Sequence, residues 1–157
     1  MSNTLLTPGW QQAHMGHWMQ QASLRFDARV LSLMAANAEM PLALANLAAR
    51  GSLSASHIQI TRHLPLEGAR LTDLAKRAGI SKQAMGKLVE QCEAWGLVAR
   101  GDDLRDARAR WVAFTPIGLA WLQAHQQAVM QAEDELRAAV GSEVATVMVL
   151  GLEAYAA

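Results

Sequence analysis

Cysteine is all but missing from this chain. Cys92 is the only one in 157 residues, which excludes a disulfide framework and a cysteine-based metal cluster. Aromatic residues make up only 5% of the chain, and five of them are Trp. The apolar content, 52% in all, therefore rests on Ala, Leu, Met and Val, residue types that favour helices over a large sheet. No apolar run approaches the roughly 18 residues of a membrane span. No basic segment followed by an apolar stretch marks a signal peptide. The expectation is a cytoplasmic protein without membrane contact. Net charge is absent too, with 14 Lys and Arg against 14 Asp and Glu. A chain of this length and composition has room for one domain with a real core.

A zero sum hides an uneven distribution. Between Ile60 and Arg110 stand ten Lys and Arg against seven acids, so the middle of the chain is basic and its flanks are acidic. Where positive charge is concentrated matters more to an anionic partner than the total.

From Trp10 to about Asn37 no proline intervenes, and two apolar rows recur at helical spacing: Leu24, Ala28, Leu31 and Ala35, with Phe26, Val30, Leu33 and Met34. This predicts one helix covered on more than one side. Pro41 suits the first turn of a shorter helix, Leu42 to Arg50, closed by Gly51. Ser54 or Ser56 can cap a third helix carrying Ile58, Ile60 and Leu64, ended by Pro65. Thr72 is placed to cap Asp73 to Ala78, with Leu74 and Ala75 inward and Gly79 closing the helix. Ser81 caps the next, Lys82 to Trp95, whose Met85, Leu88, Val89 and Cys92 share one face. Leu97–Arg100 and Trp111–Phe114 read as antiparallel strands around a polar ten-residue connection, Gly101 to Arg110. Thr115-Pro116 opens a long helix with an apolar seam of Ile117, Trp121, Leu122, Val129, Leu136 and Val140. Gly141-Ser142 breaks it before a last helix with Val144, Val147, Met148, Leu152 and Tyr155 on its face.

Two short helices joined by a tight turn, followed by a hairpin with a basic tip, make the order of a winged helix-turn-helix. That order presents the N-terminal turn of the second helix to a DNA major groove. With Met85, Leu88, Val89 and Cys92 inward, the residues Lys82, Gln83, Gly86, Lys87, Glu90 and Gln91 face outward. Gln83 carries the paired donor and acceptor that suit adenine, and Lys87 reaches guanine or a phosphate. Ser81 and the free amides of the helix N-terminus suit a phosphate oxygen. Gly86 in mid-helix forgoes about 1 kcal/mol relative to Ala, which close approach of the backbone to DNA would explain.

These residues resemble the MarR family of bacterial regulators. The run from Leu71 to Met85 looks like the family's helix-turn-helix, and Trp95-Gly96-Leu97-Val98-Ala99-Arg100 is similar to its entry into the wing. Asp103, Asp106, Arg108 and Ala109 match its wing signature, followed by Phe114-Thr115-Pro116-Ile117-Gly118. The resemblance runs in register from about Ser54 to Leu122. It implies a mainly α fold with a small β-hairpin wing: a DNA-binding lobe, 54–115, flanked by dimerisation helices, 1–53 and 116–157. It further implies a homodimer on a palindromic operator in double-stranded DNA. Ser81, Lys82, Gln83 and Lys87 would stand in the major groove, and Arg105 or Arg108, with Arg110 beside them, would carry the wing into the minor groove. Asp106 would pair with Arg108 inside the wing. A small aromatic or phenolic ligand between the lobes is implied as well, with Trp10, His14, Met15 and Trp18 as candidate contacts.

Other readings of the same residues are a protein-docking dimer without DNA binding, and a thiol switch at Cys92. Cys92 shares the inward face of its helix, where thiols are usually inert. Of His14, His17, His57, His63 and His125, the pair His14 and His17 stands three apart on one helix face without an acid or thiol nearby, so a structural or dimer-interface role is expected and no metal or cofactor. No Gly-rich phosphate loop, G-x-S-x-G or H-E-x-x-H pattern points to an enzyme.

Overall fold

The first apolar rows make two helices rather than one, α1 (Trp10–Ala13) and α2 (Met15–Ala35), in the computed structural model, which describes residues 7–38, 40, 45, 55–103 and 106–157. The continuous helix expected from Trp10 breaks because His14 leaves helical space, at φ −96° and ψ 157°. Its Nδ1 accepts the His17 N–H at 3.2 Å, so an imidazole fills the capping role usually taken by Ser or Asp. Of the expected helix Leu42 to Arg50, with its Pro41 and Gly51 boundaries, all but Ala45 lies outside the described residues, as does Ser54.

Helix α3 (Ala55–His63) ends before Pro65, as expected. A two-residue strand, β1 (Ala69–Arg70), then leads straight into α4 (Leu71–Ala78). The expected Thr72 cap does not form: α4 starts two residues earlier, Arg70 takes the cap position, and no side chain caps it. Pairing of β1 with a later strand, Ala69 opposite Val112 and Arg70 opposite Trp111, fixes the entry of the helix instead. Gly79 ends α4 in the left-handed region, φ 66°, where a Cβ would be strained.

After α5 (Lys82–Ala94) the chain forms β2 (Val98–Asp103) and β3 (Asp106–Phe114). Both strands are longer than expected, because most of the polar connection is itself paired. Asp106 to Arg110 alternates polar and apolar residues, but the apolar members are alanines, which are poor strand formers, so the pattern reads as loop. The sheet has three antiparallel strands in the order β1-β3-β2.

Helix α6 (Pro116–Val140) is capped by Thr115, whose hydroxyl accepts the Gly118 N–H at 3.0 Å. The same hydroxyl donates to the Gly96 carbonyl, with the Leu97 carbonyl 3.2 Å away. Gly118 lies so close to the preceding turn that a Cβ there would sit 1.8 Å from the Leu97 carbonyl oxygen. The buried face of α6 is Gly118, Trp121, Ala124, His125, Ala128 and Ala132. Of the expected seam, Trp121 is buried, whereas Ile117 and Val140 are exposed. Small side chains let α6 pack closely on α2, where Val30 and Met34 are fully buried. Arg29 of α2 and Glu135 of α6 close the contact through two hydrogen bonds, at 2.7 and 2.8 Å.

Helix α7 (Ser142–Ala156) bends away from α6 by 117°. Only Ala145 of α7 is buried. The face expected to pack, Val144, Val147, Met148, Leu152 and Tyr155, stands exposed, Tyr155 at 84%. No single helix among the described residues is long and apolar enough to cross a membrane.

Candidate nucleic-acid interface

The turn between α4 and α5 is built from backbone bonds first. The Ile80 N–H reaches back to the Ala75 carbonyl and the Gly79 N–H to that of Lys76, both at 3.1 Å, which satisfies carbonyls left open at the end of α4. Ser81 then caps α5 as expected, its Oγ accepting the Ala84 N–H at 3.1 Å. Met85, Val89 and Cys92 of α5 are buried with Leu74 and Ala75 of α4 in one core, so both helices are held by the same apolar cluster. This burial fixes which side of α5 looks outward. Ser81, Lys82, Gln83, Lys87, Glu90 and Gln91 are all exposed along it. The first turn of α5 carries no acid, so its dipole and free amides face solvent beside Lys82 uncompensated. Gly86 is half-buried, and a Cβ on it would meet only Leu71 Cδ2 at 4.0 Å. Packing within the chain therefore does not demand glycine at this position.

Strand β2 of the wing packs against α5. Arg110 of β3 stands opposite Asp102 of β2 and donates to it at 3.2 Å, both side chains well exposed. A surface pair of this kind contributes about 0–1 kcal/mol, so it leaves Arg110 available to an outside anion. Arg105, and the side chains of Asp106 and Arg108 with the expected ion pair between them, lie outside the described residues. Sequence reasoning missed Glu93 at the end of α5, whose carboxylate binds Arg100 of β2 at 2.6–2.8 Å. The Arg100 guanidinium holds that carboxyl below the usual carboxylate range, chiefly through its side-chain hydrogen bond. An acid near a helix end carries no pattern that names its partner seven residues on.

The four candidate ligand contacts fall on one stretch of surface. The Trp10 and His14 rings are 5.9 Å apart, and the string continues through His17 to Trp18, where the rings meet edge-on at 5.2 Å. Trp10, His14, Met15 and Trp18 are all exposed and line neither of two concavities that the described residues form. The larger concavity, an open groove of about 380 Å³, runs between α2, α6 and α7 over Phe26, Leu136, Met148 and Leu152. A smaller one, about 70 Å³, is bounded by Asn37, Met40, Gln123 and Gln127.

Two inward groups remain. Burial pushes the Cys92 thiol up to about 12, so it carries almost no thiolate at neutral pH. This weighs against the thiol-switch reading. His125 is buried on α6, and its Nε2 has no hydrogen-bond partner among the described residues. Burial holds its pKa below the ordinary histidine value, helped by the charge of Arg62 and opposed by Asp27. Those two form an ion pair that ties α3 to α2.

Helix, tight turn, helix and paired wing, with the second helix turned outward, define a winged helix-turn-helix protein. Within that class residues 58–109, from α3 into the wing, match the model of the MarR family. No curated protein matches the chain by sequence. Among solved structures, the chain is similar to the transcriptional repressor CouR bound to a 23-mer DNA duplex, with 20% identity over 98% of this chain and 100% of that one and a TM-score of 0.71. It is also similar to BpsR of Bordetella bronchiseptica, whose DNA binding is regulated by 6-hydroxynicotinic acid (18% identity, 96% and 98% covered, TM-score 0.66). A third is PcaV of Streptomyces coelicolor, in complex with its natural ligand (13% identity, 96% and 97% covered, TM-score 0.64). The fold is thus shared with these structures over nearly the whole chain, including the helices outside the matched segment.

Proposed function

We propose that this chain is a sequence-specific DNA-binding transcriptional regulator, a ligand-responsive repressor that acts as a cytoplasmic homodimer on a palindromic operator. The observation that carries the reading is the outward side of α5: an uncompensated helix N-terminus with Ser81, Lys82, Gln83 and Lys87 exposed along it. In this role Ser81 and Lys82 hold phosphates, while Gln83 and Lys87 read base edges. Gly86 lets the backbone come close. Arg105, Arg108 and Arg110 carry the wing to the neighbouring minor groove, with Asp106 pairing Arg108.

Two copies are required, because a palindrome is read by two recognition helices about 34 Å apart. The helices at 1–53 and 116–157 serve as the dimerisation part and 54–115 as the reading lobe. The exposed apolar row of α7 and the groove beside it support that division. A small aromatic or phenolic effector that favours one spacing of the two reading lobes would shift the population away from the DNA-binding form. Ligand regulation of BpsR and the ligand complex of PcaV support an effector of this kind. Trp10, His14, Met15 and Trp18 are its proposed contacts once a second subunit covers them.

The test is a titration of operator duplex, taken from the DNA upstream of the protein's own gene, with Lys87→Ala and Arg108→Ala. Each is expected to weaken binding by about tenfold, and wild-type affinity should fall steeply as salt rises, through counterion release. Unchanged affinity in both variants, or binding indifferent to salt, would overturn the reading.

A further inference from the structure

The recognition helix and the wing are joined by more than the chain between them. One Glu93 carboxylate, in the last turn of α5, accepts three hydrogen-bonding groups from Arg100. Oε1 takes the Arg100 main-chain N–H at 3.3 Å, and Oε2 takes Nε at 2.8 Å and Nη2 at 2.6 Å. The main-chain bond matters as much as the ion pair. Strand β2 is an edge of the sheet, and outward amides on an edge have no neighbouring strand to pair with. Glu93 supplies that acceptor at one residue.

Arg100 is also the point where the wing leaves the body of the protein. It stands opposite Val112, which is fully buried and is itself paired with Ala69 of β1. Beyond it Gly101, Asp102 and Asp103 run outward, about 10 Å at 3.3 Å per residue. With the pivot held at Arg100, a change of about 10° in the pitch of the hairpin moves its far end by about 2 Å. That is enough to take an arginine out of hydrogen-bonding range of a groove floor.

We propose that Glu93 is a positioning residue for DNA recognition: it sets the pitch of the wing against α5, so that helix and wing read adjoining grooves as one body. This rests on the DNA-binding reading above. Glu93 touches no DNA in this role and acts through Arg100.

The experiment uses the full-length chain and a duplex that the wild-type protein selects from a randomised pool. Affinity, hydroxyl-radical footprint and guanine-N7 protection are compared for wild type, Glu93→Gln, Glu93→Ala and the exchanged pair Glu93→Arg with Arg100→Glu. Glu93→Ala is expected to bind about tenfold weaker, to lose backbone protection at the outer, wing-contacted flanks, and to keep guanine protection in the major groove. Glu93→Gln, which retains an acceptor for the main-chain N–H, should fall between, and the exchanged pair should recover the flanks. Glu93→Ala binding within twofold of wild type, or more tightly because a freed Arg100 takes up a phosphate, would overturn the proposal. So would equal loss of flank and major-groove protection in Glu93→Gln at an unchanged melting temperature. If the wild-type chain selects no duplex at all, the DNA-binding reading falls first and this role falls with it.

Discussion

The helix-turn-helix and the last helix, α7, are built differently. Around the α4–α5 turn, every apolar side chain that points inward finds a partner within the same chain: Leu74, Ala75, Met85, Val89 and Cys92 belong to one buried cluster. Along α7 the reverse holds. Val144, Val147, Met148, Leu152 and Tyr155 are exposed, and the helix hides only Ala145. The helix-turn-helix buries its apolar residues within one copy, whereas the last helix leaves a row of large apolar side chains exposed, the kind of surface that marks an interaction site. The proposed dimer would cover that exposed row, while the helix-turn-helix needs no second chain to bury its core.

The contrast can be broken most severely at Gly118. Gly118→Ala places a methyl against the Leu97 carbonyl where no space exists, and a loss of about 3 kcal/mol or more in urea unfolding is expected. At the other end, Leu152→Glu and Val147→Glu disturb little within one chain. They should leave the helical circular-dichroism signal intact while weakening self-association at least about a hundredfold, or about 2.7 kcal/mol, measured by sedimentation equilibrium. A self-association constant unmoved by both would remove the comparison's second half.

Gly86→Ala sharpens the first half. With room for the methyl inside the chain, the helix should gain about 0.5–1 kcal/mol while operator affinity falls. A variant both more stable and equally tight on DNA would show that the glycine serves neither end.

The smallest effect concerns His125. Its folded-state pKa lies below the ordinary histidine value through burial, so the unfolded chain takes up the proton first. Stability attached to the neutral ring is complete above the unfolded value of about 6.5 and declines as pH falls through it towards the lower folded value. Denaturation midpoints between pH 7.5 and 5 should therefore drop more steeply for wild type than for His125→Gln, and parallel curves would refute this.

Much of the reading lobe was legible because its signals are local. Ser81, Gly79 and Thr115-Pro116 act on backbone groups a few residues away, and the α5 face repeats at helical spacing. What escaped depends on distant neighbours. Half of the buried α6 seam is alanine (Ala124, Ala128 and Ala132), which carries no polarity contrast to mark a face, and it took the packing of α2 to select these positions. Strand β1 is two residues long and exists only through Val112 and Trp111. Its presence moved the start of α4 to Leu71 and left the Thr72 cap unused. The His14 break needed an imidazole to act as a cap, which spacing cannot announce. For the candidate site, Lys82, Gln83 and Lys87 were placed outward correctly by the inward set. The Glu93–Arg100 link joins a helix to a strand and follows no periodicity.

Thr115 gives the two regions a common joint. Its hydroxyl donates to the turn that ends α5 and accepts the Gly118 N–H in the first turn of α6 at once. The base of the long helix and the end of α5 are therefore tied together by a single side chain. Whatever grips the far end of α6 holds a lever whose fulcrum is one threonine.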